Sequence, residues 1–215
     1  YEDNLDIILN FSHKMTDLKL VLRLNLNDKI KSKTFFQINA IDVNKLLEVW
    51  PKDFKESVYL WMKENSSGKI LNLSMSNDVF DKNKKINFTN SRGAFDFVNT
   101  EIRYMESMPN IQKINGNAKI KNDKVIFYVS SGESNNLVVQ DGIVELYDLS
   151  SNLEKANVNL NLTGKNNDVI NYLDISPINK KSYSKLRSIT GQSSVNLELD
   201  FPLIVDLPAE EIRYK

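Results

Sequence analysis

The chain has 215 residues, 28 basic and 28 acidic side chains, no cysteine and a single histidine, His13. Without cysteine there is no thiol nucleophile, disulfide framework, thiolate zinc site or iron–sulfur cluster. One histidine cannot build a multi-histidine metal site, and a net charge of zero argues against a basic nucleic-acid surface. An apolar fraction of 41% with 26% charged residues reads as one large globular domain or one and a half ordinary ones.

Period-two alternation dominates, the mark of strands with one apolar and one polar face. A first strand is expected over residues 5–11. In the next, Leu18, Leu20, Leu22, Leu24 and Leu26 point one way while Lys19, Arg23 and Asn25 point the other, and Asn27-Asp28 supplies a turn. Asp42 can cap a short helix carrying Leu46, Leu47 and Val49, stopped at Trp50-Pro51 because proline disfavours helical geometry in the residue before it. A second helix is predicted from about residue 52 to 65, with Phe54, Val58, Trp61 and Met62 on one face and Gly68 just beyond it.

Strands are predicted over 70–75, 114–120, 124–129 and 138–146, broken by Asn122-Asp123, Ser131-Gly132, Gly142 and the turn at 148–151. Ala156, Val158, Leu160 and Leu162 alternate with Asn157, Asn159 and Asn161. A third short helix is predicted over 168–173, capped by Asn166 or Asn167 and ended before Pro177. Val195, Leu197, Leu199 and Phe201 form the apolar side of a last strand. Short connections favour antiparallel neighbours, so the expected fold is mainly β: a meander forming a long curved antiparallel sheet, with two or three short helices. The expected divisions are strands of a preceding unit at 1–41, a helical insert at 42–68, and the main sheet at 69–215 with a helix near 167–174.

Catalytic constellations are sparse. There is no Gly-x-Gly-x-x-Gly or phosphate loop, and no Asp-x-Asn-x-Asp-Gly calcium loop. Ser12 and His13 are adjacent with Asp17 nearby, but neighbours on a strand point to opposite faces, so His13 reads as a solvated loop residue. Glu101, Glu106, Glu133, Asp141 and Glu145 show no spacing that marks a glycosidase pair. The reading is a protein without catalytic residues, metal or cofactor. Abundant asparagine and lysine read as codon bias, and five Asn-x-Ser/Thr triplets as its by-product. The chain opens at Tyr1 with nothing resembling a signal peptide or a membrane-spanning run, and is read as a soluble piece of a longer protein.

The amphipathic strands carry more information. No obvious second set of apolar faces or covering helices is visible beyond the region around Trp50–Met62, so lipid is the natural cover for the apolar face. The competing readings are a closed β-sandwich serving as an adhesion or carbohydrate-binding module, and a carboxylate glycosidase.

From Trp50-Pro51 onward, with Trp61, Glu64, Asn65 and Gly68-Lys69-Ile70, the chain resembles the AsmA-like proteins of Gram-negative envelopes, in their YhdP branch. The series continues in order. It runs through Gly93-Ala94-Phe95-Asp96-Phe97, then Tyr104 to Met108-Pro109, Ile114-Asn115-Gly116, Ser131-Gly132, Asp141-Gly142, Leu162-Thr163-Gly164, Ile189-Thr190-Gly191 and Leu199-Asp200-Phe201-Pro202-Leu203. The resemblance covers roughly 46–203. Residues 77–90 match nothing in it, and lysine and asparagine replace the family's arginine and proline. It implies kinship with TamB and other repeating β-groove lipid-transfer proteins. It further implies a monomeric periplasmic segment of a protein anchored in the inner membrane, conducting phospholipid between the two membranes. The expected partners are phospholipid acyl chains and, through regions outside the chain, both membranes. No nucleic acid is expected.

The groove residues expected from the alternation are Leu18, Leu20, Leu22, Leu24, Leu26, Ala156, Val158, Leu160, Leu162, Val195, Leu197 and Leu199. Leu160→Asp is accordingly expected to lower bound lipid while leaving the strands formed.

Overall fold

The computed structural model describes residues 4–13, 16–25, 32–48, 56–82, 85–105, 108–151, 153–175, 187–204, 208 and 211–214. The chain runs β1 (Asn4–His13), β2 (Thr16–Asn25), β3 (Ser32–Asp42), α1 (Val43–Glu48), α2 (Glu56–Asn65), β4 (Ser66–Lys82) and β5 (Lys85–Ile102). It continues with β6 (Ile111–Lys121), β7 (Lys124–Ser134), β8 (Leu137–Tyr147), β9 (Lys155–Lys165), α3 (Asn166–Ile175), β10 (Gln192–Pro202) and β11 (Arg213–Tyr214). All eleven strands form one sheet in strict sequence order, each antiparallel to the next. The sheet is open: β1 and β11 stand at opposite ends of the order and do not pair.

The meander expected from the short connections is therefore the architecture. The pairing of β3 with β4, from Ser32↔Val79 to Asp42↔Lys69, crosses the expected division at 42–68 without a break. The strands before and after that division belong to one sheet, and α1 and α2 are the connection between two neighbouring strands. Of residues 77–90, which matched no motif, 77–82 complete β4 and 85–90 open β5, with register from Asp78↔Thr89 to Lys82↔Lys85, while 83 and 84 lie outside the described residues. The predicted third helix begins at its capping residue. Asn166 donates through Nδ2 to the Ile189 carbonyl at 2.8 Å and accepts from Ser193 Oγ at 3.1 Å, tying the start of α3 to β10. Leu26, the turn at 27–28, Trp50-Pro51, residues 52–55 of the second helix, Glu106 and Pro177 lie outside the described residues.

Asparagine serves the fold at its irregular points. Among the described residues eight non-glycine positions have positive φ, and six are asparagines: 72, 90, 99, 122, 135 and 136. Asn122 occupies the two-residue β6–β7 turn that the sequence marked, and the pair 135–136 turns β7 into β8. Asn72, Asn90 and Asn99 coincide with register shifts between β4 and β5 or between β5 and β6. Asparagine tolerates the left-handed region far better than most residues, and a bulge at each such point bends the strand and increases its twist. Strand twist and repeated bulges give a long open sheet its trough shape.

The core is one-sided. Its most buried members include Ile38, Leu73, Leu137, Val139, Ala156, Leu160, Leu162 and Leu199, which cluster beneath the helices and the connecting segments, and Phe97 and Ala118, which pack among strand residues of β5, β6 and β7. Gly116 and Gly142 make close approach possible there. A Cβ at Gly116 would stand 2.6 Å from Phe97 Cζ, and one at Gly142 would stand 2.4 Å from Leu160 Cδ2. Large side chains thus lie over glycines on adjacent strands.

Leu162 is 2% exposed and Leu9 is 43% exposed. Leu162→Ala is expected to cost about 3 kcal/mol and Leu9→Ala less than about 1 kcal/mol in urea unfolding monitored by circular dichroism.

Candidate functional site

Residues paired across antiparallel strands share a face, so the registers assign every side chain to one side of the sheet. One row crosses ten strands through nine pairings: Leu9, Leu20, Phe36, Met75, Gly93, Ile120, Val125, Leu146, Ala156 and Phe201. It contains no polar side chain. A parallel row runs Ile70, Phe97, Gly116, Val129, Gly142, Leu160 and Leu197. Phe127 fills the space between rows, with its ring 5.9 Å from that of Phe95 and 5.8 Å from that of Phe97, both edge-on.

The opposite face is polar over much of its area, interrupted by Ile8, Val21 and Phe35 in one row across β1, β2 and β3 and by Val138 and Ile143 on β8. Arg23 donates from Nε and one Nη to both carboxylate oxygens of Asp6 at 2.7 Å, directly across β1 and β2. That hydrogen bonding holds the Asp6 carboxyl below its ordinary range. Asn196 Nδ2 donates to Asn159 and Asn161 at 2.8 and 3.0 Å, and Asn161 donates to Asp141 at 2.5 Å, an amide ladder across β8, β9 and β10.

Four connections cover parts of the apolar face. α1 and α2 bring Val43, Leu46, Leu47, Tyr59 and Met62 onto Ile38, Ile70 and Leu73. The connection from β5 to β6 brings Tyr104, Met105 and Met108 across it, where they meet Val169 and Tyr172 of α3 over Leu137, Val139, Leu160 and Leu162. Ile212 and Leu203 close on Ala156, Leu199 and Phe201. The Tyr104 and Tyr172 hydroxyls are 2.7 Å apart, pinning this connection to α3. Burial pushes both phenols above their ordinary range, Tyr104 far above it, and the hydroxyl contact adds to the shift at Tyr104 and opposes it at Tyr172.

Among the described residues, none covers the face over β1 and β2 in this way. Leu5, Ile7, Leu9 and Phe11 are 47%, 41%, 43% and 57% exposed. They pair with Leu24, Leu22, Leu20 and Leu18, which are only half-buried.

The structure thus puts the described groove candidates on one face but in two environments. Leu18, Leu20, Leu22 and Leu24 line its open part, and Val158, Val195 and Leu197 are half-buried. Ala156, Leu160, Leu162 and Leu199 are buried beneath the chain's own segments. Two expectations are corrected. Covering elements do exist beyond the first helical region, namely α3 and the Tyr104–Met108 connection. Leu160→Asp would then set a carboxylate among Met108, Val169 and Tyr172 and break the core, so intact strands are not its expected outcome. Leu5, Ile7, Leu9, Phe11, Phe36 and Met75 also belong to the face, although none is among the groove residues expected from the sequence; the parity of residues 5–11 is the signal that reveals the first four.

The catalytic candidates are dispersed. Ser12 Oγ donates to Asp17, its partner across the β1–β2 hairpin, while His13 ends β1 opposite Thr16. Glu101 accepts from Asn110 at 2.7 Å, Glu133 pairs with Lys113 at 2.8 Å and Glu145 with Lys124 at 2.8 Å. Among the described residues no group of three or more histidine, cysteine or acidic side chains could hold a metal ion, and no helix is long and apolar enough to cross a membrane.

Comparison with protein-family models, with curated proteins and with solved structures returns no match for this chain.

The buried tyrosine pair links stability to pH. In the unfolded chain a phenol ionises near pH 10, while Tyr104 and Tyr172 in the fold keep their protons to higher pH. Their stabilising contribution is therefore complete below about pH 10 and is lost as pH rises above it. The urea midpoint is expected to fall between pH 9 and pH 11, and to fall less in the Tyr104→Phe/Tyr172→Phe double variant.

Proposed function

We propose that this protein carries lipid acyl chains along the apolar face of its sheet. The observation that carries this reading is the all-apolar row across ten strands, which emerges exposed at Leu9 of β1 and half-buried at Leu20 of β2. Each acyl methylene moved from water onto such a surface gains about 0.8 kcal/mol. A row of similar contacts at successive strand spacings of about 4.8 Å offers neighbouring wells of comparable depth, so a chain can slide without re-entering water. Polar head groups stay at the rim.

The motif series between 46 and 203 supports a narrower version. In it the cargo is phospholipid, and the chain is a periplasmic section of an AsmA-like protein anchored in the inner membrane, supplying the outer membrane. The closed-sandwich alternative requires a second sheet facing the first, and the described strands form a single one. A glycosidase requires two acids converging on a cleft, and the described candidates are each tied to a separate neighbour.

Lipid extracted from the purified protein and native mass spectrometry test the reading. Wild-type protein is expected to carry phospholipid, and Leu20→Asp, on the half-buried part of the row, to lower the load at least about threefold with an unchanged circular dichroism spectrum. Wild-type protein free of lipid, or a Leu20→Asp variant with a normal load, would overturn it.

A further inference from the structure

β1 ends the sheet with a long, regular edge. It pairs with β2 over ten residues in an unshifted register, and among the described residues no strand pairs its other side. Natural sheets blunt such edges with proline, lysine, bulges or short strands, because a row of unpaired main-chain groups templates another strand. β1 has no proline and no lysine, and its one carboxylate, Asp6, is held from the β2 side by Arg23 at 2.7 Å. At the opposite end of the sheet, β11 is two residues long.

The strand is apolar on both faces. Leu5, Ile7, Leu9 and Phe11 stand on the trough face, and Ile8, 54% exposed, stands on the other, where it begins the row that continues to Val21 and Phe35. Its sequence is also a palindrome in chemical kind. Outward from Ile8, Ile7 is matched by Leu9, Asp6 by Asn10 and Leu5 by Phe11. Two identical strands paired antiparallel about Ile8 set each position opposite its mirror on the same face. Ile8 then meets Ile8, Ile7 meets Leu9, Leu5 meets Phe11, and the Asn10 amide can donate to Asp6. Other centres fit worse. Pairing about Leu9 sets Ile8 against Asn10, and pairing about Ile7 sets Ile8 against Asp6.

We infer that β1 pairs antiparallel with β1 of a second copy of this chain, about a two-fold axis through Ile8. The row Phe35, Val21 and Ile8 runs directly into its mate, so the apolar interruption of the polar face becomes the centre of a seam. On the other face Leu5, Ile7, Leu9 and Phe11 of the two copies lie side by side, and the two troughs join end to end. The inference does not depend on the acyl-chain reading, and it puts a pair in place of the monomer that the resemblance implies.

Sedimentation velocity of the full chain over a range of concentrations tests the pairing, together with thiol cross-linking. Edge pairing of this length makes a small interface, so a dimer with a dissociation constant of about 10 μM is expected. Ile8→Lys sets two ammonium groups opposite each other and is expected to raise that constant at least about tenfold, with an unchanged circular dichroism spectrum. The chain has no cysteine, so Ile8→Cys places a single thiol beside its mate, and a short bis-maleimide is expected to link the two copies. Asn4→Cys, on the same face, lies about 27 Å from its mate along the strands and is expected to stay unlinked. A monomer at about 100 μM, growth beyond a dimer, a dimer that Ile8→Lys leaves intact, or cross-linking no greater at position 8 than at position 4 would overturn the pairing. Ile8→Lys leaves every trough residue in place, so its lipid load reports on the acyl-chain reading alone.

Discussion

Backbone pairing without a break from β1 to β11 is the constraint on which the rest of the structure depends. It satisfies the main-chain donors and acceptors of neighbouring strands, but leaves a single sheet with a single apolar face. A sandwich buries such a face against a second sheet, and a barrel buries it by closing. This sheet does neither, and its cover comes from connections: α1 and α2 between β3 and β4, Tyr104, Met105 and Met108 between β5 and β6, α3 between β9 and β10, and Leu203 with Ile212 between β10 and β11. All four turn to the same side. Where a hairpin is joined directly, as β6 to β7 through Asn122, it contributes apolar surface and no roof.

Regular alternation made β2, β9 and β10 legible in the sequence, because a strand with an unbroken period of two announces both its extent and its sides. The central strands were legible only in part, at 70–75 of β4 and 114–120 of β6, for an equally physical reason. Phe95 and Phe97 occupy odd positions, while Thr100 and Ile102 occupy even ones, with left-handed Asn99 between them. Ile111 and Ile114 are separated by left-handed Lys113, and Ile70 and Leu73 by left-handed Asn72. Each bulge inserts a residue and switches the parity of the positions beyond it, so a fixed-period reading loses the strand. The asparagines at these points read as compositional bias, whereas several hold the conformations that bend the sheet.

The division of the candidate face into roofed and open parts was not legible, and the reason lies in the Tyr104–Met108 connection. It has no periodicity, and its side chains acquire meaning only from the strands they lie across. α3 was visible as a helix, but its position over β8 and β9 depends on contacts of Val169 and Tyr172 that no local pattern encodes. Alternation therefore identified residues of one face correctly by side and could not separate Leu160, deep in the core, from Leu20, half in the open.

Strict sequential strand order has a further consequence, for how such a molecule forms and changes. Every strand pairs with the one just made, so the sheet can assemble by zipping on one hairpin at a time, without waiting for a distant partner to arrive. The same order makes length a free variable. A hairpin can be gained or lost in the interior without re-threading the chain, provided the apolar positions stay in register across the join. In that respect the fold behaves less like a closed domain than like a ribbon, whose span along the strand stack is set by how many times the motif has been copied.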